Sequence, residues 1–227
     1  MKKILTTIAA SLFAFGAYAN DIYVTQSGDS LDLDITQDGQ NNTVGNSTTA
    51  SASTGATTIL DIDQVGSSNV LKYQINGATF TGTVNVTGDS NDIDLNCDST
   101  NGNSSCGTVT ASITMVGGSN DVDLDIGETS DASNSTVTIT SAASDDSNVI
   151  AATVDGTSAI LTITVDGDTN NWLVDIDGNG DINGHTLIHS HTGGIADVDI
   201  VQSGVYDNYI SLTTSGDNAD IDISQTD

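Results

Sequence analysis

Hydrophobic and polar residues alternate in nearly every run of this chain. Leu31-Asp32-Leu33-Asp34-Ile35, Leu60-Asp61-Ile62, Ile93-Asp94-Leu95, Val122-Asp123-Leu124-Asp125-Ile126, Val137-Thr138-Ile139, Leu161-Thr162-Ile163-Thr164-Val165, Val198-Asp199-Ile200 and Ile221-Asp222-Ile223 all follow a period of two. That period puts apolar side chains on one face of a β-strand and polar ones on the other. The apolar residues are mainly Ile and Val, whose branched Cβ favours a pleated strand over a helix. Between the runs a Gly is followed three residues later by an Asn: Gly39 to Asn42, Gly66 to Asn69, Gly88 to Asn91, Gly117 to Asn120 and Gly167 to Asn170. Both residue types tolerate the positive φ that a tight turn requires.

The turns recur at regular distances. Gly66 and Gly88 are 22 residues apart, Gly28 and Gly39 are 11 apart, and Gly204 and Gly216 are 12 apart. This defines a half-unit of one strand and a full unit of strand, turn and strand. Longer gaps, 29 residues from Gly88 to Gly117 and 37 from Gly167 to Gly204, read as inserted loops. A unit this short cannot bury its own apolar face and is stabilised by stacking on its neighbours. The pattern therefore predicts an all-β fold, a β-solenoid of stacked strand-turn-strand rungs with loop insertions, with Ile, Val and Leu in a thin core and Asp, Thr and Ser outside. A two-sheet sandwich accounts for the alternation but not for the Gly-x-x-Asn register. The absence of proline agrees with a solenoid, because proline cannot donate to a ladder bonded on both sides.

Charge narrows the function. The 227 residues include 31 acidic and 3 basic side chains, a formal net charge of −28. A nucleic-acid binder is excluded, since such proteins rely on Lys and Arg to neutralise phosphates. Lys2 and Lys3 open a segment that continues with an apolar stretch from Ile4 to Phe15 and ends in Ala17-Tyr18-Ala19. Residues 1–19 are thus expected to be a secretory signal peptide, leaving residues 20–227 as a single solenoid domain, secreted to the outside or the cell surface through the periplasm. In that segment Lys72 is the sole base and the net charge is −30. Leu, Ile, Val and Phe make up about 23% of it, barely above the roughly 20% of disordered chains. Placement rather than abundance argues that it folds.

The pattern apolar-x-apolar-x-Gln-x-Gly-x-x-Asn occurs in Leu33-x-Ile35-x-Gln37-x-Gly39-x-x-Asn42 and in Leu60-x-Ile62-x-Gln64-x-Gly66-x-x-Asn69. Val24-x-Gln26-x-Gly28 and Val198-x-Ile200-x-Gln202-x-Gly204 are partial copies, the second with Asn208 one place late. This resembles the curlin repeat of curli fimbrial subunits, the bacterial functional amyloids. The resemblance implies inward amide ladders on Gln37, Asn42, Gln64, Asn69, Gln202 and Asn208. It also implies an exported subunit that adds end to end into extracellular fibres for adhesion and biofilm, with outer-membrane secretion and nucleation partners. Independently of the resemblance, a solenoid exposes a sheet edge at each end, and an uncapped edge templates another chain. The alternative is a monomer whose ends are blunted by loops or by charges such as Asp220, Asp222 and Asp227.

Other residues bear on chemistry. Outward Asp residues stacked between rungs repel one another, which leaves open a salt-screened surface or a ladder of shared calcium ions. Asp175-Ile176-Asp177-Gly178-Asn179-Gly180-Asp181 matches the front of an EF-hand-like calcium loop. Its twelfth place, however, is Thr186 where a bidentate Glu belongs. The alternative there is an Asp/Asn/Gly-rich turn between two rungs. His185, His189 and His191 have the spacing for one strand face and a Zn or Cu site, but a fourth ligand is not evident and a solvated loop is the expectation. Cys97 and Cys106 enclose a polar loop and, given export, are expected to form a disulfide. Trp172, Tyr206 and Tyr209 form either a carbohydrate-stacking patch or core and loop anchors.

No enzyme is expected: a Gly-x-Ser-x-Gly elbow and a phosphate-binding loop are both missing from the sequence. A monomeric binding module, calcium-stabilised or ice-binding, is the second functional expectation. Thr136-Val137-Thr138-Ile139-Thr140 and Leu161-Thr162-Ile163-Thr164 would supply hydroxyls for ice, but the interleaved Asp runs are expected to break up any uncharged face.

Overall fold

The computed structural model describes residues 21–45, 50–97, 106–127, 132, 134–142, 147–177, 184–204 and 208–226. The expected signal peptide, Asn179, Asp181, Tyr206 and Asp227 lie outside the described residues. Strands follow one another as the alternation demands. The first group is β1 (Asp21–Ile22), β2 (Thr25–Ser27), β3 (Ser30–Asp38), β4 (Asn42–Val44), β5 (Ser51–Val65) and β6 (Ser68–Thr87). Then come β7 (Ser90–Cys97), β8 (Thr108–Val116), β9 (Ser119–Ile126), β10 (Asn134–Ala142), β11 (Ser147–Val154) and β12 (Ala159–Asp166). The last are β13 (Thr169–Ile176), β14 (Thr186–Thr192), β15 (Ile195–Ser203), β16 (Tyr209–Ser215) and β17 (Asn218–Thr226).

Every pairing between these strands is parallel, and they build a β-solenoid of about seven turns. The first sheet stacks β1, β2, β4, the start of β5, the first half of β6, then β7, β9, β11, β13, β15 and β17. The second stacks β3, the rest of β5 and β6, then β8, β10, β12, β14 and β16. Alternate residues of both sheets point inward and form columns along the axis. One such column is Val44, Leu71, Ile93, Val122, Ile150, Trp172 and Val198, none more than 1% exposed. Burying an aliphatic side chain of this size contributes roughly 1.5–3 kcal/mol, so the thin core is continuous rather than deep.

The two edges of the solenoid differ. One is the tight turn of the Gly-x-x-Asn motif, where backbone stacks directly on backbone. A Cβ on Gly88 would lie 2.0 Å from the carbonyl oxygen of Gly66, and one on Gly117 would lie 1.5 Å from that of Gly88. Glycine is required there by this close approach. The opposite edge carries the inserted length. Early rungs pass it without a break inside β5 and β6, whereas later ones spend a loop between β7 and β8, β9 and β10, or β13 and β14. The Cys97–Cys106 disulfide closes the first of these loops, with Cα atoms 5.8 Å apart. Successive Asn residues at the tight edge are separated by 22, 29, 28 and 22 residues, yet their strands stay in register. Most inserted length is taken up at that edge; the exceptions are the six residues between Val44 and Ser51, which interrupt the first sheet, and two extra residues in the turn from β10 to β11.

Candidate functional site

An amide ladder runs up the tight edge inside the first sheet. Asn42 Nδ2 donates to Asn69 Oδ1 (3.0 Å), Asn69 to Asn91 (2.9 Å), Asn91 to Asn120 (2.7 Å), Asn120 to Asn148 (2.8 Å) and Asn148 to Asn170 (2.7 Å). Each of these Asn residues is at most 2% exposed. The same amides brace the turns, as Asn170 does by donating to the Gly167 carbonyl at 2.8 Å. The motif thus couples the turn to the next rung. Asn148 was not signalled by Gly-x-x-Asn because Asp145 stands where the glycine would be. The Ser-Asn pair that opens β6, β7, β9 and β11 alike would have found it.

The Gln residues do not form one ladder. Gln37 and Gln64 sit on the second sheet beside the tight edge, with Gln64 Nε2 donating to Gln37 Oε1 at 2.8 Å. Above them that column holds Val86, Met115, Ser141, Val165 and His191. Gln202 and Gln225 lie instead on the first sheet at the loop edge, where Gln225 Nε2 donates to Gln202 Oε1 at 3.2 Å. Gln26 opens the same column at the other end, through Ser53 and Ile75. Asn208 accepts from the His185 backbone N–H at 3.0 Å at that edge. Gly28 and Gly204 likewise belong to the loop edge, so the 37-residue gap from Gly167 joins two unlike corners; the tight-edge successor of Gly167 is Gly193. Both sheets use the same half-unit, which is why sequence spacing alone merged them.

The outward faces separate charge from hydroxyl. On the first sheet, Asp92 and Asp121 are register partners, as are Asp94 and Asp123, Asp197 and Asp220, and Asp199 and Asp222. Lys72 Nζ lies 2.8 Å from Asp92 and 3.7 Å from Asp94. Burial pushes the Asp94 carboxyl above its usual range, with Asp123 and Asp92 adding to the rise and Lys72 opposing it. Asp121 is raised by burial and by Asp92. The second sheet is different. From β6 to β14 its central outward columns read Thr81, Thr110, Thr136, Ile160, Thr186, then Thr83, Ser112, Thr138, Thr162, Ile188, then Asn85, Thr114, Thr140, Thr164, Ser190. None of these is charged. The Asp runs expected to break up a hydroxyl face lie on the opposite sheet over these rungs; Asp32, Asp34, Asp61 and Asp63 intrude only below them.

The histidines are not in a solvated loop. His185, His189 and His191 are at most 1% exposed, the last two inward on β14. Trp172 packs edge-on against both, with ring centroids 4.6 Å from His189 and 5.0 Å from His191. Asn170 Nδ2 sits 2.9 Å from His191 Nε2, so the amide ladder ends on this imidazole. Among the described residues neither ring nitrogen of His189 has a hydrogen-bond partner, and burial, reinforced by His191, lowers its pKa to about 4. Trp172 is therefore a core residue, unable to join a carbohydrate patch with the exposed Tyr209. Of the calcium candidates, Asp175 points outward with its carboxyl pKa raised by burial and by Asp177, and Asp177 accepts a hydrogen bond from Ser203. Among the described residues no three His, Cys, Asp or Glu side chains are grouped to hold a metal.

Both ends are bare among the described residues. β16 pairs in register only with β14 and β17 only with β15, while β3 pairs only with β5. Inward residues near the ends, Leu31, Leu33, Ile210 and Ile221, are only partly buried, and Ile223 is 48% exposed. Asp220 and Asp222 lie beside Asp197 and Asp199 on the outer face rather than across the edge. The terminal rungs also match. Following the registers up the first sheet, Ile22 and Ile221 share one inward column, Val24 and Ile223 the next, and Gln26 and Gln225 the third. No protein-family model matches the chain, and no curated protein or solved structure matches it at a significant level.

Proposed function

We propose that the chain is an exported structural subunit, similar to curlin-repeat proteins, that adds end to end into extracellular fibres or surface layers serving adhesion and biofilm. The observation that supports this reading is the pair of bare ends whose inward columns correspond, apolar to apolar and Gln to Gln. Unpaired strand edges template further strands, and stacked amides add to cross-β stability. The acidic first sheet sets the condition: copies repel through solvent, and salt screens that repulsion over a distance of about 10 Å at 0.1 M. Purified residues 20–227 are expected to form seedable fibres with a lag that shortens as salt rises. Persistent monomer at high concentration, unaffected by seeds, would overturn the reading.

The threonine face favours a second reading, a module that binds ice. Its hydroxyl and methyl groups repeat about 4.8 Å between rungs and about 6.8 Å along each strand, in central columns without charge, with Asp166 at their margin on β12. A lattice of that kind can order water in two dimensions, which a charged face would disrupt. The expected result is faceted ice growth and a depressed freezing point, both lost in Thr138→Tyr, whose ring stands up in the middle of the array, with the circular dichroism spectrum unchanged. Ordinary rounded ice crystals with the unmodified chain would dismiss it.

A further inference from the structure

We infer that copies join by strand replacement: β17 of one copy takes the place of β1 and β2 in the next and brings β16 onto β3. This deepens the end-to-end reading and rests on it. The reason is a mismatch in level between the sheets. β17 is a half-rung, with no second-sheet strand following it among the described residues, while β1 and β2 are the half-rung that precedes β3. Simple stacking of β17 on β1 and β2 therefore leaves one strand missing from the second sheet at every junction, with the inward side of β17 open to water. It also sets Asp220 against Asp21, like charges directly opposed.

Replacement removes both defects. β17 then continues the columns onto β4 and β5, with Asp220 on Thr43, Ile221 on Val44 and Gln225 on Ser53. On the second sheet β16 meets β3 in column, Ile210 on Leu33 and Leu212 on Ile35. The segment that must leave is held weakly: β1 pairs through two residues and β2 through three, against nine for β17 on β15. Its strand residues are exposed or half-buried throughout, and between β1 and β2 the ladder is carried by Val24, which accepts from Ala52 N–H at 2.8 Å and donates to Ser51 Oγ at 3.0 Å. A nine-residue strand then spans the break between Val44 and Ser51 that β1 and β2 span in two short pieces, and both sheets close.

Two cysteine pairs separate the junctions, each built into the exported chain, residues 20–227. Gln225→Cys with Ser53→Cys places the thiols opposite one another only after replacement. Gln225→Cys with Gln26→Cys does so only in simple stacking. The two ends of one copy lie too far apart to bridge, so cross-links on denaturing gels report junctions between copies. Oxidation of assembled material is expected to give a multimer series with the first pair and monomer with the second. The reverse result, or no cross-link with either pair in assembled material, would overturn replacement while leaving end-to-end assembly standing. A chain that stays monomeric on sedimentation overturns both. Deletion of residues 21–27 supplies a second readout: assembly proceeds at least as fast as in the parent if replacement operates, and a tenfold slowing overturns it.

Discussion

Asn120→Leu is expected to lower the unfolding free energy by about 3–4 kcal/mol, on the basis that a lost buried hydrogen bond with a stranded partner costs about 1–3 kcal/mol. The amide of Asn120 donates to Asn148 and to Ser141, both at 2.8 Å, and accepts from Asn91 at 2.7 Å. Leucine removes all three. It does not strand every partner: Asn91 keeps a long bond to the Gly88 carbonyl and Asn148 keeps the Ser141 hydroxyl at 2.7 Å. The sum therefore falls below three full penalties. Position matters as well, because a solenoid is stabilised through nearest-neighbour interfaces and a break in the middle divides it. Urea unfolding should become two transitions in Asn120→Leu, whereas Asn42→Leu at the first rung shifts the midpoint without splitting it. A loss below 1 kcal/mol with a single transition would mean that the ladder is ornamental to stability.

Acidification from pH 7 to pH 4 is expected to remove about 3 kcal/mol through His189 alone. The imidazole is buried and neutral, with a folded pKa of about 4 against 6.5 in the unfolded chain. The unfolded state therefore takes up the proton first. Stability is intact above the unfolded value and falls as pH drops between 6.5 and 4, where the difference between the two pKa values corresponds to about 3.4 kcal/mol at most. His191, also lowered by burial, acts in the same direction. Asp94, Asp121 and Asp175 act oppositely: their folded pKa values are raised, so the folded state binds protons more readily and recovers stability as pH falls through those values. The profile should dip below neutrality and flatten in stronger acid. His189→Ile suits its column, which otherwise holds Ile35, Ile62, Val84, Ile113, Ile139 and Ile163. Urea titrations at several pH values should show the dip in the parent and most of it abolished in this variant; equal slopes in both would reject the assignment.

Strands and the tight edge were legible because their causes are local. Alternation fixes which side chains turn inward, and Gly-x-x-Asn marks a turn where backbone must approach backbone. Assignment to sheets was not legible in the same way. Asp-x-Asp and Thr-x-Thr runs alternate along the chain, and read in sequence they look interleaved on one surface. They fall on opposite surfaces because consecutive runs belong to opposite sheets. Gln26 and Gln37 carry the same local motif yet line different edges, since eleven residues is one half-turn. The histidines looked solvated because their surroundings in sequence are polar and Gly-rich, whereas β14 turns His189 and His191 inward onto Trp172, a contact supplied by the neighbouring sheet.

The placement of most inserted length at one edge has a consequence for how such a chain can change. Rungs of 22 and 29 residues coexist without disturbing the Asn column. Length at the loop edge is thus free to drift between the later rungs, while the tight edge varies only from two to four residues between strands. Evolution, or an engineer, can lengthen, shorten or decorate one rim of the molecule while the other keeps count.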